Sequence, residues 1–250
     1  MSRFLSSRFC INALKALIIS TLSIQTLLAN TAVVPVPRLD KIYDNLDGEG
    51  WLERHESIKK RNQSGPVDLI FVGDSITHWF KFPGKGRPVW DERFAKLNAV
   101  NMGFGGDRTE HVLWRIDNGT LDGISPKLCV LMIGTNNWRT SSSEEIAEGV
   151  EAVCLRIQEK LPDTKILLLG IFPRGTPDDP KRAKTLAANE MIKGLHDGSR
   201  IHYLDIGSQF LDEDGYIPES VMPDKLHPST EGYRIWADAI QDSVAKLMAD

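Results

Sequence analysis

Residues 67–78 read VDLIFVGDSITH, and the fold turns on how that stretch is taken. From Leu69 the chain is apolar through Val72, stops at Gly73, and passes at once to Asp74 and Ser75. A short apolar run without polar alternation suits a strand covered on both faces, as in a parallel sheet. Gly73 and Asp74 suit the turn that ends such a strand. Ser75 is open to two readings, helix cap or nucleophile, and the rest of the chain has to choose between them.

The same kind of run returns at 97–103 (LNAVNMG), 127–134 (KLCVLMIG), 165–171 (KILLLGI) and 200–206 (RIHYLDI). Helical periodicity fills the intervals, most clearly over 144–161 and 181–196. Strand followed by helix, about five times over, predicts a doubly wound α/β fold with a parallel sheet. Ahead of it, 50–62 (GWLERHESIKKRN) predicts a helix with Trp51, Leu52, His55 and Ile58 on one face. No linker or repeat divides 49–250, so one domain is expected there.

At 250 residues, 41% hydrophobic and 26% charged, the chain can bury one substantial core. Residues 1–29 hold Arg3, Arg8 and Lys15, no acid, and the apolar stretch 16–29 (ALIISTLSIQTLLA). That pattern reads as a secretory signal peptide cleaved between 29 and 32, with 30–48 as an exported linker. The apolar stretch is short for a membrane span of roughly twenty residues, though an uncleaved anchor is the competing reading. Periplasmic or secreted location follows, with no stable membrane insertion once the signal is removed. Loss of three positive charges takes the net charge from −4 to −7, which with no long basic patch argues against nucleic-acid binding. Cys10 lies in the leader. Cys129 and Cys154 fall in apolar runs as buried thiols, and a bridge between them is open.

In open α/β sheets, sites form beyond the carboxyl ends of the strands. There the chain places GDSITH (73–78), GFGGDRTEH (103–111) and GTNNW (134–138). The fourth run leads into FPRGTPDDP (172–180), which reads as a longer surface loop, and MPDKLHPSTEGY (222–233) precedes a last helix with Pro228 in its first turn. A serine nucleophile needs a base, and the base an orienting partner. Among six histidines, His55 and His196 lie among charges on predicted helices and read as solvated, and His202 sits in the last strand. His78 and His111 follow strands, where they either line a site or cap it. His227 has Asp224 three residues earlier in a Pro-flanked turn, so one rigid loop can deliver base and carboxylate; an Asx turn is the alternative. Gly105 or Gly106 allows a backbone N–H to approach a substrate closely. Asn136 and Asn137 offer an amide donor or serve as turn residues. GFGGDR lacks the third Gly of a dinucleotide loop, and GDSIT lacks the last Gly of the G-x-S-x-G elbow.

Taken in order, GDSI, GFGGD, GTNN and DKLH resemble the SGNH, or GDSL-like, hydrolases. GGDRTEHVLWR and GIFPRG are most similar to the catalytic subunits of platelet-activating-factor acetylhydrolases within that family. The resemblance covers Val67 to the C-terminus. It implies a flavodoxin-like three-layer fold and ester hydrolysis without metal or cofactor. Position by position it implies Ser75 as nucleophile, His227 as general base and then acid, and Asp224 as its orienter. The backbone N–H groups of Ser75 and Gly106 and the amide of Asn136 would form the oxyanion hole. The substrate expected is a short-chain ester, acetyl first, on a small molecule or glycan, with the oligomeric state open. His78, Trp79 and Trp138 are candidate stacking surfaces, and Ile76 and Leu226 candidate walls of the acyl pocket, by adjacency alone. A lysophospholipase or thioesterase on longer chains, or a non-catalytic module of the same fold, are the alternatives.

Overall fold

The structure is a computed structural model that describes residues 30–38 and 50–249. The predicted signal peptide and much of the predicted linker lie outside the described residues. Five strands, β1 (Leu69–Gly73), β2 (Ala99–Gly103), β3 (Leu128–Met132), β4 (Lys165–Leu169) and β5 (Ile201–Leu204), form one sheet. All four pairings are parallel and the order is β2-β1-β3-β4-β5. Each strand lies inside one of the five apolar runs.

The lack of polar alternation has a direct cause, because both faces of the sheet are buried. Ile70, Val72, Cys129, Leu131, Ile166 and Leu168 enter one core. Their neighbours Leu69, Phe71, Leu128, Val130, Leu167 and Leu169 enter the other. The first core is covered by α1 (Trp51–Asn62), α4 (Thr109–Asp117), α5 (Ser143–Lys160) and α6 (Pro180–Ile192). The second is covered by α3 (Arg87–Arg93) and α7 (Thr230–Ala249), and the single turn α2 (Ser75–His78) sits at the end of β1. Three layers result, as expected. Cys129 and Cys154 are free thiols inside the first core, where burial raises both pKa values, Cys154 to about 12.

Four local expectations are corrected. Leu52 is 47% exposed, because the buried stripe of α1 runs through His55, Ile58 and Asn62 and Leu52 lies off it. His55 is buried between Trp51 and Trp114, with Asn118 O 3.2 Å from its Nε2 and Thr120 Oγ1 3.0 Å from its Nδ1. Residues 30–38 pack on the domain: Ala32 is fully buried, and its carbonyl accepts a 2.7 Å bond from Thr109 Oγ1. Finally, α7 begins at Thr230, because Ser229 rather than a helical Pro228 precedes its first turn and its Oγ accepts from Gly232 N at 3.2 Å.

Candidate active site

Ser75 opens α2 directly after β1, but Asp74 is the cap. Asp74 Oδ1 accepts the Ile76 N–H at 2.9 Å, which leaves the Ser75 hydroxyl uncommitted to the helix. Gly73 makes the sharp exit possible, since a Cβ there would collide with Thr77 and with the Met132 carbonyl. From α7, the buried Tyr233 hydroxyl donates to Ile76 O at 2.7 Å and pins the turn from the other side. Burial drives the Asp74 carboxyl up to about 7; the Ile76 N–H opposes that, Asp107 adds to it and Arg174 opposes it.

The turn before α7 carries the partners of Ser75. Ser75 Oγ lies 2.9 Å from His227 Nε2, and His227 Nδ1 lies 2.6 Å from Asp224 Oδ2. A carboxylate only accepts, so Nδ1 carries the proton and Nε2 is left to accept from the serine. Burial alone would raise the Asp224 carboxyl, yet bonds from the His227 ring and backbone and from Leu226 N–H hold it down at about 2. Lys225, between them, takes the left-handed region at φ 58°, and its carbonyl accepts from Gly175 N at 2.8 Å. The loop after β4, expected at the surface, therefore buttresses this turn; Ile171 and Phe172 within it are buried. Trp79 lies against the His227 ring, with centroids 3.9 Å apart.

The second and third loops are bolted together beside Ser75. Gly106 has φ 71°, and a Cβ there would meet the Arg38 guanidinium, which donates to Gly105 O. Asp107 is fully buried, holding Trp51 Nε1 at 2.6 Å and Arg115 Nε at 2.9 Å. Asn136 and Asn137 separate into different roles. Asn137 is buried and bonds Thr109 N, Thr109 Oγ1 and Glu110 Oε2. Asn136 is half-buried and gives one amide N–H to Asp107 O at 2.9 Å, leaving the second to point elsewhere. His111 is a cap, its Nδ1 accepting from Arg108 N at 3.1 Å.

Of the five wall candidates, Ile76, Trp79 and Leu226 meet in one apolar cluster, and His78 and Trp138 are not part of it. Ile76 is 1% exposed and packs in the core, and Leu226 rests on the same cluster from outside. Trp138 is half-buried, with Lys181, Arg139 and Arg174 each within 6 Å of its ring. His78 is corrected: it lines a separate cavity with Arg54 and Asn101, because one turn after Ser75 the chain has reached the β2 edge. Sequence reasoning missed Arg174, Lys225, Tyr233 and Arg38. Arg174 donates to Thr135 O at 2.9 Å and lies close enough to Asp74 and Asp224 to feel both charges. Its place just past a strand end, inside the GIFPRG stretch, was the available signal.

Residues 71–235 match the model of the GDSL-like Lipase/Acylhydrolase family. The chain belongs to that family. It is a carboxylic ester hydrolase of the GDSL-like type. Among its relatives is the human platelet-activating factor acetylhydrolase IB subunit alpha1, 33% identical over 222 residues, or 88% of this chain and 92% of that protein. The alpha2 subunit of Rattus norvegicus is 35% identical over 80% of this chain and 86% of its own. Solved structures share the fold. A GDSL-like lipase from Bacteroides thetaiotaomicron superposes with a TM-score of 0.65 at 17% identity, over 77% of this chain and 97% of that one. An acetylxylan esterase from Geobacillus stearothermophilus gives 0.57 at 19%, over 71% and 94%. Among the described residues, no group of three or more His, Cys, Asp or Glu is placed to hold a metal ion. None of the described helices is long and apolar enough to cross a membrane.

Proposed function

We propose that this acylhydrolase is an exported serine esterase that removes short acyl groups, acetyl first, from carbohydrate esters. The observation that carries the reading is the relay Ser75 Oγ, His227 Nε2, His227 Nδ1, Asp224 Oδ2, with contacts of 2.9 and 2.6 Å. In this reading Ser75 Oγ attacks the ester carbonyl while its proton passes to His227 Nε2. Asp224, ionised at any working pH, steadies the imidazolium through Nδ1–H. The developing oxyanion is met by the N–H groups of Ser75 and Gly106 and the second amide N–H of Asn136. The Ser75 N–H starts a helix and so has no acceptor within it. His227 then protonates the leaving alkoxide, the alcohol departs, and the acyl-Ser75 ester remains. Water, deprotonated by His227, attacks that ester and releases the carboxylic acid.

The acetyl preference rests on relatives named acetylhydrolases at 33–35% identity. The carbohydrate alcohol is supported by the fold's acetylxylan esterase neighbour and by the half-buried Trp79 and Trp138 rings, suited to stacking on a sugar. Export rests on the charge and apolar pattern of residues 1–29. Initial rates across p-nitrophenyl esters of rising chain length should peak at two to four carbons, roughly the span of a short-chain esterase pocket. A peak at about eight carbons or beyond would sink the acetyl assignment. N-terminal sequencing of the protein from the native host should find a mature start between 30 and 33; an intact Met1 in the exported fraction contradicts cleavage.

A further inference from the structure

A cavity of about 480 Å³ opens between α1, the segment after α2 and the outer edge of β2, away from Ser75 and His227. Its wall carries Arg54, Arg61, Lys81 and Arg87, with His78 and Asn101 behind them, and no lining residue is acidic. That is a concentration of positive charge in a chain whose net charge is −4. Arg87 has Asp91 as a partner at 3.2 Å. Arg54 spends donors on the edge-strand carbonyls of Gly103 and Asn101, at 3.0 and 3.4 Å, and so is held rigidly. Arg61 is different: Nη2 donates to Pro66 O at 3.1 Å, while Nη1 is buried with no hydrogen-bond partner. Lys81 reaches the rim, and among the described residues no carboxylate pairs with it. Desolvation lowers the Lys81 ammonium pKa first, then Arg87, with Arg54 and Arg61 adding and Asp91 opposing. His78 is held neutral, at about 3, by burial and then by Arg54 and Arg115.

We propose that this cavity is a binding site for a tetrahedral dianion, a phosphate or sulfate group, with the Arg61 guanidinium and Lys81 Nζ as its principal donors. Four cations around one space repel each other, and a dianion relieves that repulsion where a single carboxylate relieves half as much. A guanidinium beside an ammonium suits tetrahedral oxygens. The space exceeds the need of a bare ion and leaves room for an organic substituent. The site stands apart from the esterase reading, and its test does not use ester hydrolysis.

Melting temperature and titration calorimetry, with inorganic phosphate against sodium chloride at matched ionic strength, test the site. Phosphate at about 100-fold over its dissociation constant should raise the melting temperature by roughly 5–10 °C. Lys81→Gln and Arg61→Gln should each weaken phosphate binding about tenfold or more. In chloride alone Lys81→Gln should melt no lower than the parent, since it removes a like charge from the cluster. A sugar phosphate run in parallel identifies the source: tighter binding than inorganic phosphate assigns an ester, equal binding the free ion. No phosphate-specific shift in the parent overturns the proposal, as does an equal shift in both variants. Should Lys81→Gln fail to fold, Arg61→Gln decides alone.

Discussion

At the scale of single residues, the division of labour between Asp74 and Ser75 decides the site. A serine at the start of a helix normally caps it, and Ser75 escapes that role because Asp74 Oδ1 already takes the Ile76 N–H. The second carboxyl oxygen of Asp74 is buried without a hydrogen-bond partner, which is why the neutral acid is favoured. Its pKa of about 7 lies above the ordinary value of 3.8, so the folded chain holds this proton more tightly than the unfolded one. The stability it contributes is therefore full below about pH 4 and lost as pH rises through 7, up to about 4 kcal/mol. His78 works in the opposite sense. Its pKa of about 3 lies below 6.5, so its contribution is full above about pH 6.5 and lost as pH falls toward 3. Asp74→Asn keeps an oxygen for Ile76 N–H and removes the titration. Urea unfolding across pH 4–8 should show the variant gaining stability relative to the parent as pH rises, with the remaining trend upward with pH. A constant difference between the two proteins contradicts the account.

At the scale of elements, the site depends on loops that hold one another. Asn137 ties the loop after β3 to the start of α4, while its neighbour Asn136 gives one amide N–H to Asp107 O and is the one we propose for the oxyanion. The two alanine variants should separate these roles. Asn137→Ala strips three buried hydrogen bonds and should cost about 1–3 kcal/mol in urea unfolding. Asn136→Ala should leave the melting temperature near that of the parent and lower kcat by about 10²–10³. Equal effects of both on both readouts would contradict the assignment. Beneath that loop, Arg115 is fully buried, pairs with Asp107 and lies 3.9 Å over the Phe104 ring. Arg115→Leu leaves the Asp107 carboxylate uncompensated and should cost about 3–5 kcal/mol in the same measurement. Both asparagines were placed at the right strand tip by the sequence pattern. Which one faces the site was not legible, because adjacent side chains point in different directions and spacing does not say where. His55 shows the same limit: charged neighbours suggested solvent, whereas its step from Ile58 put it on the buried stripe.

At the scale of the molecule, the fold was readable because a sheet buried on both faces leaves an unbroken apolar signature five times over. The rule that sites lie beyond the strand ends then pointed to loops that the fold does bring together around Ser75. What stayed illegible depends on contacts far apart in the chain. Ser75 and His227 are separated by 152 positions, and the turn that joins them needs Lys225 at positive φ and a carbonyl bond from the loop after β4. The packing of 30–38 onto α4 and α5 was missed for the same reason, since Pro-rich composition reads as linker while Ala32 and Arg38 are buried. The central claim is that an acyl group passes through Ser75. Protein quenched during turnover of p-nitrophenyl acetate, digested and sequenced by mass spectrometry tests it directly. The account predicts one acetyl group on the peptide that carries Ser75, absent from Ser75→Ala, whose kcat falls by about 10⁴–10⁶. Acetyl on a different residue, or a Ser75→Ala protein as active as the parent, contradicts it.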